Sequence, residues 1–138
     1  MAQPPSPAVD THSVPSSRVS PLVLVVDDAP AYVTLMSKAL EGQGVELVTA
    51  GDLQSARDMV RIAGRPDLVL LDLLLPDGNG LDILPELKRY PGTAVVVVSG
   101  KGEELDRELA MASGADGYVV KPFSVAALRE QVRALLAA

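Results

Sequence analysis

Two kinds of apolar pattern alternate along the chain. Short, mostly apolar runs ("LVLVV", "VELVTA", "LVLL", "AVVVV", "GYVV") are separated by longer stretches in which apolar residues recur every three or four positions. The first kind reads as strand and the second as amphipathic helix. "LVLVVDD" predicts a first strand and "PAYVTLMSKALEG" a first helix, with Pro30 near its start and Gly42 at its end. Val33, Met36, Ala39 and Leu40 form its inward stripe. "VELVTA" follows as a strand, "LQSARDMVRIAG" as a helix closed by Gly64, and "PDLVLLD" as the third strand. "GLDILPELKRY" predicts a third helix that contains Pro85, at the loss of one backbone hydrogen bond near its first turn. "AVVVVSG", "ELDRELAMASG", "GYVV" and "VAALREQVRALLA" complete the alternation, the last with Val125, Leu128, Val132 and Leu135 on one stripe. Apolar strand runs of this kind are expected where helices cover both faces of a parallel sheet, so the fold class is α/β.

A chain of 138 residues suits one such domain. Residues 1–21 hold five prolines and five serines with little to bury, and read as a flexible tail or linker. Residues 22–138 form the domain. The net charge of -6 falls wholly on that domain, because Asp10 and Arg18 cancel in the tail. An acidic domain without clustered Lys and Arg argues against direct nucleic-acid binding. Cysteine is absent, which excludes disulfides and thiolate zinc sites. No apolar run has signal-peptide or membrane-spanning character, so no membrane insertion and a cytoplasmic location are the expectations.

Chemistry collects at the strand ends. In an open parallel sheet the ligand crevice lies beyond the carboxyl ends of the strands. There the sequence places Asp27 and Asp28 after strand one, Asp72 after strand three, Ser99 after strand four and Lys121 after strand five. Carboxylates converging on one edge repel one another and call for a cation, and hard oxygen ligands suit Mg²⁺. A nearby lysine can pair with one carboxylate and receive a further anionic group. Neither a GxxxxGK[ST] nor a GxGxxG motif is present, and Gly78 and Gly80 in "PDGNG" read as turn formers. The single histidine, His12, lies in the tail and supports no Ser/His/Asp arrangement.

The motifs "VVDD", "LLDLLLPDGNG", "VVVVSG" and "GADGYVVKPF", in this order and spacing, resemble those of a response-regulator receiver domain, the phosphoacceptor module of two-component signalling. The likeness covers about residues 22–137. It implies a flavodoxin-like three-layer sandwich, with a five-stranded parallel sheet of order 2-1-3-4-5 and five helices. It implies that Asp72 accepts a phosphoryl group from a histidine kinase or histidine phosphotransfer protein. Asp27, Asp28, Asp72 and the backbone carbonyl of Leu74 would hold Mg²⁺. Ser99 and Lys121 would bind phosphoryl oxygens, with Ser99 and Tyr118 as the switch pair. The Lys121–Pro122 bond would be cis. A downstream protein partner would read the face made by the fourth helix, fifth strand and fifth helix. Such a domain assists its own phosphorylation and dephosphorylation and is not a dedicated enzyme.

Some residues depart from the family pattern. Asp116–Gly117 stands where Asp–Asp is usual, and Ala127 and Gln131 replace a Glu and an Arg of one family dimer interface, which speaks against that dimer. Leu74 and Lys101 occupy two variable positions associated with phosphoryl lifetime. A receiver on its own and a receiver excised from a longer regulator or hybrid kinase both fit. The alternatives are a phosphorylation-independent adaptor, expected to have lost part of the acidic pocket, and a haloacid-dehalogenase-like phosphatase. The latter requires a second Asp two residues after the nucleophile, where this chain has Leu74.

Overall fold

The computed structural model describes residues 20–100 and 104–137. The expected tail falls almost wholly outside them, and so does Lys101. Five strands, β1 (Leu22–Val26), β2 (Glu46–Ala50), β3 (Leu68–Leu71), β4 (Ala94–Ser99) and β5 (Gly117–Val120), form one parallel sheet. Their order across the sheet is β2-β1-β3-β4-β5, as the resemblance implied. The helices are α1 (Pro30–Leu40), α2 (Leu53–Ala63), α3 (Leu84–Leu87), α4 (Glu104–Ala112) and α5 (Val125–Ala137).

Strand alternation divides the core into two layers. Val23, Val25, Leu68, Leu70, Val96 and Val98 face α1 and α5, where they meet Met36, Ala39, Leu40, Leu128 and Val132. Leu24, Val26, Val69, Leu71, Val95 and Val97 face the other way, onto Leu53, Ala56, Leu84, Leu87 and Ala110 of α2, α3 and α4. This is why the runs of β1, β3 and β4 are apolar up to their last residues: both sets of side chains are buried. Val33, Val125 and Leu135 complete the helix stripes as half-buried residues packed on the first layer. The edge strand β2 is mostly exposed, and only Ala50 is buried.

Two local features differ from the sequence expectation. The third helix, expected over "GLDILPELKRY", is split into a 3₁₀ turn at Gly80–Asp82 and the single α-turn Leu84–Leu87. Pro85 has no N–H to give the carbonyl of Leu81, and its ring crowds that carbonyl, so the ladder breaks there. Asn79 caps the 3₁₀ turn by accepting the Leu81 N–H at 2.8 Å. Ahead of it, Leu74–Leu75 pairs antiparallel with Gly78–Asn79, so "LLPDGN" is a small hairpin and not merely a loop. Asp77 in that hairpin accepts the N–H groups of Leu53 and Gln54 at 2.8 and 3.1 Å. Together with Asp52, which accepts the Ser55 N–H at 2.7 Å, it satisfies the start of α2.

Candidate functional site

The sheet ladder delivers the polar residues to one place. The Asp27 N–H donates to the Ala50 carbonyl at 3.0 Å, the Asp72 N–H to Val26 at 2.9 Å and the Lys121 N–H to Ser99 at 2.9 Å. Each residue is thus held one step beyond the last apolar residue of its strand. Asp27 and Asp72 are only 2% and 6% exposed, while Asp28 opens to solvent. One oxygen of each of the three carboxylates lies within 4.8 Å of the others.

Lys121 enters this cluster from β5. Its Nζ donates to Asp27 Oδ2 at 2.6 Å and to Asp72 Oδ2 at 3.2 Å. Burial pulls the ammonium's pKa down, but the hydrogen bond to Asp27 and the charge of Asp72 outweigh it, so the pKa is raised and the group stays cationic at neutral pH. The peptide bond from Lys121 to Pro122 is cis, as the resemblance implied. One ammonium among three carboxylates leaves two negative charges in excess. Asp27 Oδ1 accepts the Ala29 N–H at 2.9 Å, whereas the bond from Leu74 N–H to Asp72 Oδ1 is long, at 3.4 Å. An oxygen-only donor set with surplus negative charge fits a hard divalent cation, and Mg²⁺ is such an ion.

Ser99 ends β4 fully buried. Tyr118, paired with Val97 in the ladder, is 8% exposed and belongs to the layer on the α4 side. It is therefore more buried than a half-exposed strand aromatic would be. The Arg107 guanidinium lies 4.9 Å from its ring centroid. Burial above all, and then the charge of Asp106, push the phenol's pKa up, so it stays protonated. Leu74 is exposed at the mouth of the hairpin.

Three contributors were not visible in the sequence. Tyr32, in the first turn of α1, brings its ring centroid to 4.2 Å from Lys121 Nζ and to 5.8 Å from the Phe123 ring. Asp77 ties the hairpin after Asp72 to α2. Gly80 lies so close to the chain that a Cβ there would strike the carbonyl oxygen of Asp72. The glycine in "PDGNG" therefore does more than turn the chain, because it lets the 3₁₀ turn pack directly behind the Asp72 backbone. At the departure noted beside Asp116, a Cβ on Gly117 would collide with the Gln131 amide, so the small residue and the glutamine fill one space.

Comparison with known proteins gives a consistent result. A family model described as "Response regulator receiver domain" matches residues 23–133. The chain is 44% identical over 115 residues to the probable transcriptional regulatory protein TcrX of Mycobacterium tuberculosis, covering 83% of this chain and 49% of that protein. It is 39% identical over 115 residues to the KDP operon transcriptional regulatory protein KdpE of Escherichia coli, covering 83% and 50%. It thus spans about half the length of the curated relatives it matches. Among solved structures, a CheY-like response regulator receiver domain protein from Methanospirillum hungatei superposes with a TM-score of 0.78 at 27% identity, covering 86% of this chain and 94% of that one. The BeF3-activated DrrB receiver domain gives 0.78 at 26% identity, covering 87% and 100%.

Proposed function

Because the chain belongs to the response-regulator receiver family, whose members are typically phosphorylated on Asp, act in phosphorelay signalling and are not classical enzymes, we propose that it takes a phosphoryl group onto Asp72 from a histidine kinase or histidine phosphotransfer protein. The observation that carries the proposal is the Lys121 ammonium bonded to both Asp27 and Asp72, with Asp28 completing the carboxylate cluster.

Phosphoryl transfer asks for charge neutralisation and in-line positioning more than for a strong base. When bound by Asp27, Asp28, Asp72 and the Leu74 carbonyl, Mg²⁺ supplies positive charge at the phosphoryl oxygens. A carboxylate oxygen of Asp72 forms the new bond to phosphorus as the donor's P–N or P–O bond breaks, the leaving group keeping the electron pair. Lys121 turns its ammonium from the carboxylates to one phosphoryl oxygen, and the Ser99 hydroxyl donates to another. Loss of the group is attack by water at the same phosphorus, which returns Asp72 to its carboxylate.

The readout is protein–protein association through the face made by α4, β5 and α5. Ser99 turning toward the phosphoryl group, and Tyr118 responding, would relay the change to that face. In support, α4 and β5 carry the exposed apolar side chains Leu105, Leu109, Met111 and Val120. Among the described residues no helix is long and apolar enough to cross a membrane.

The test is labelling by a small donor such as acetyl phosphate, followed by transfer from a panel of purified histidine kinases. Labelling is expected to require Mg²⁺, to cease on chelation and to fall steeply in Lys121→Ala. Undiminished labelling in chelator would refute the metal's part in it.

A further inference from the structure

Lys121 has to be at Asp72 when a phosphoryl group arrives, yet lysine is a long side chain with many rotamers. Its two carboxylate contacts, at 2.6 and 3.2 Å, come from the side of the sheet. A further contact comes from α1, where the ring centroid of Tyr32 stands 4.2 Å from Nζ. That is inside the range in which the negative face of an aromatic ring attracts an ammonium, and the attraction grows as water is excluded. The Lys121 side chain is only 9% exposed. The ring is itself fixed. Its backbone N–H donates to the Ala29 carbonyl at 3.0 Å in the turn opened by Pro30, and Phe123, just beyond Pro122, braces the ring at 42°.

We infer that Tyr32 is a positioning residue for Lys121, its ring face confining the ammonium beside Asp72 and thereby raising the rate at which the site takes up a phosphoryl group. The inference rests on the phosphoacceptor reading of the pocket. A carboxylate partner must be exchanged when Lys121 moves to a phosphoryl oxygen. Attraction to a ring face has no single preferred direction, so it persists through a small displacement of the ammonium. An aliphatic side chain of similar size at position 32 would pack in the same place without that attraction. The quadrupole of the ring, and not its bulk, is what the proposal assigns a role.

The experiment compares the unsubstituted chain with Tyr32→Phe, Tyr32→Leu and Asp72→Asn. With acetyl phosphate at saturating Mg²⁺, Tyr32→Leu is expected to slow phosphorylation about three- to tenfold, and Tyr32→Phe to recover most of that loss. The Lys121 ε-methylene protons, followed by NMR, should show an upfield ring-current shift in the unsubstituted and Phe chains that disappears in Leu. Absence of a nuclear Overhauser contact between these protons and the Tyr32 ring in the unsubstituted chain would overturn the inference, whether or not the Leu variant folds. So would a Tyr32→Leu rate equal to that of the unsubstituted chain, or a Phe variant as slow as Leu. Labelling that persists in Asp72→Asn would instead overturn the phosphoacceptor reading itself. Loss there beside an unaltered Tyr32→Leu rate would leave that reading standing and remove only the part given to Tyr32.

Discussion

Asp27, Asp28 and Asp72 are held closer together than their charges favour, and a single ammonium cannot neutralise all of them. Like charges about 5 Å apart at an effective dielectric near 20 repel by a few kcal/mol, and solvent at Asp28 reduces this to on the order of 1 kcal/mol. Asp28→Asn is therefore expected to stabilise the metal-free chain by on the order of 1 kcal/mol while weakening Mg²⁺ binding. Urea unfolding in chelator and Mg²⁺ titration check the two halves separately. A less stable Asn variant in chelator would mean that the carboxylates are not strained by one another. Lys121 has the opposite sign. Removing it leaves Asp27 and Asp72 buried without their partner, and breaking such a pair costs about 3–5 kcal/mol.

At the scale of elements, the segment between Asp72 and α3 carries the most information about the site. Gly80→Ala places a methyl against the Asp72 carbonyl oxygen and 3.2 Å from Leu71 Cγ. Overpacking of this kind costs about 1–3 kcal/mol. Because the strained atom is the backbone of Asp72, phosphorylation is expected to fall with stability, as paired denaturation and labelling measurements would register. Asp77 anchors the same segment to α2. Its carboxyl is held below its usual pKa chiefly by the Leu53 N–H, so its contribution is present above the ordinary Asp pKa of about 3.9 and is lost as pH falls through the lower folded value. Asp77→Ala should accordingly melt below the unsubstituted chain at pH 7, with the gap closing in acid. A gap independent of pH would mean that the carboxylate is not the anchor. The strands and their terminal Asp, Ser and Lys residues were legible because burial on two faces leaves an unmistakable apolar run, and a charge at its end stands out. The break at Pro85 was not anticipated, because a proline close to a helix start is permitted in general and only the packing of Leu84 and Leu87 fixes where the turn begins. Tyr32, Asp77 and Gly80 act on residues distant in the chain or through backbone approach, and neither leaves a local pattern.

Across the whole molecule, Leu71 and Leu73, which flank Asp72, share one buried layer with Tyr118 of β5. Tyr118 packs in the same layer as Val97 and Ala110, with Arg107 of α4 over its ring. If phosphorylation is read at the α4–β5 surface, a stable phosphoryl mimic should shift backbone amide resonances of α4 and β5. Tyr118→Ala should accept phosphate yet lose those shifts, and Ser99→Ala should weaken them. Identical spectra with and without the mimic would reduce Tyr118 to packing. Phosphoryl uptake by this chain depends on one carboxylate, that of Asp72. Intact-mass spectrometry of the unsubstituted chain and of Asp72→Asn, each exposed to acetyl phosphate and Mg²⁺, decides whether it is the acceptor. The expected result is a single phosphoryl adduct, labile to acid and to base as an acyl phosphate is, on the unsubstituted chain and none on the Asn variant. An adduct of equal yield on Asp72→Asn would contradict it.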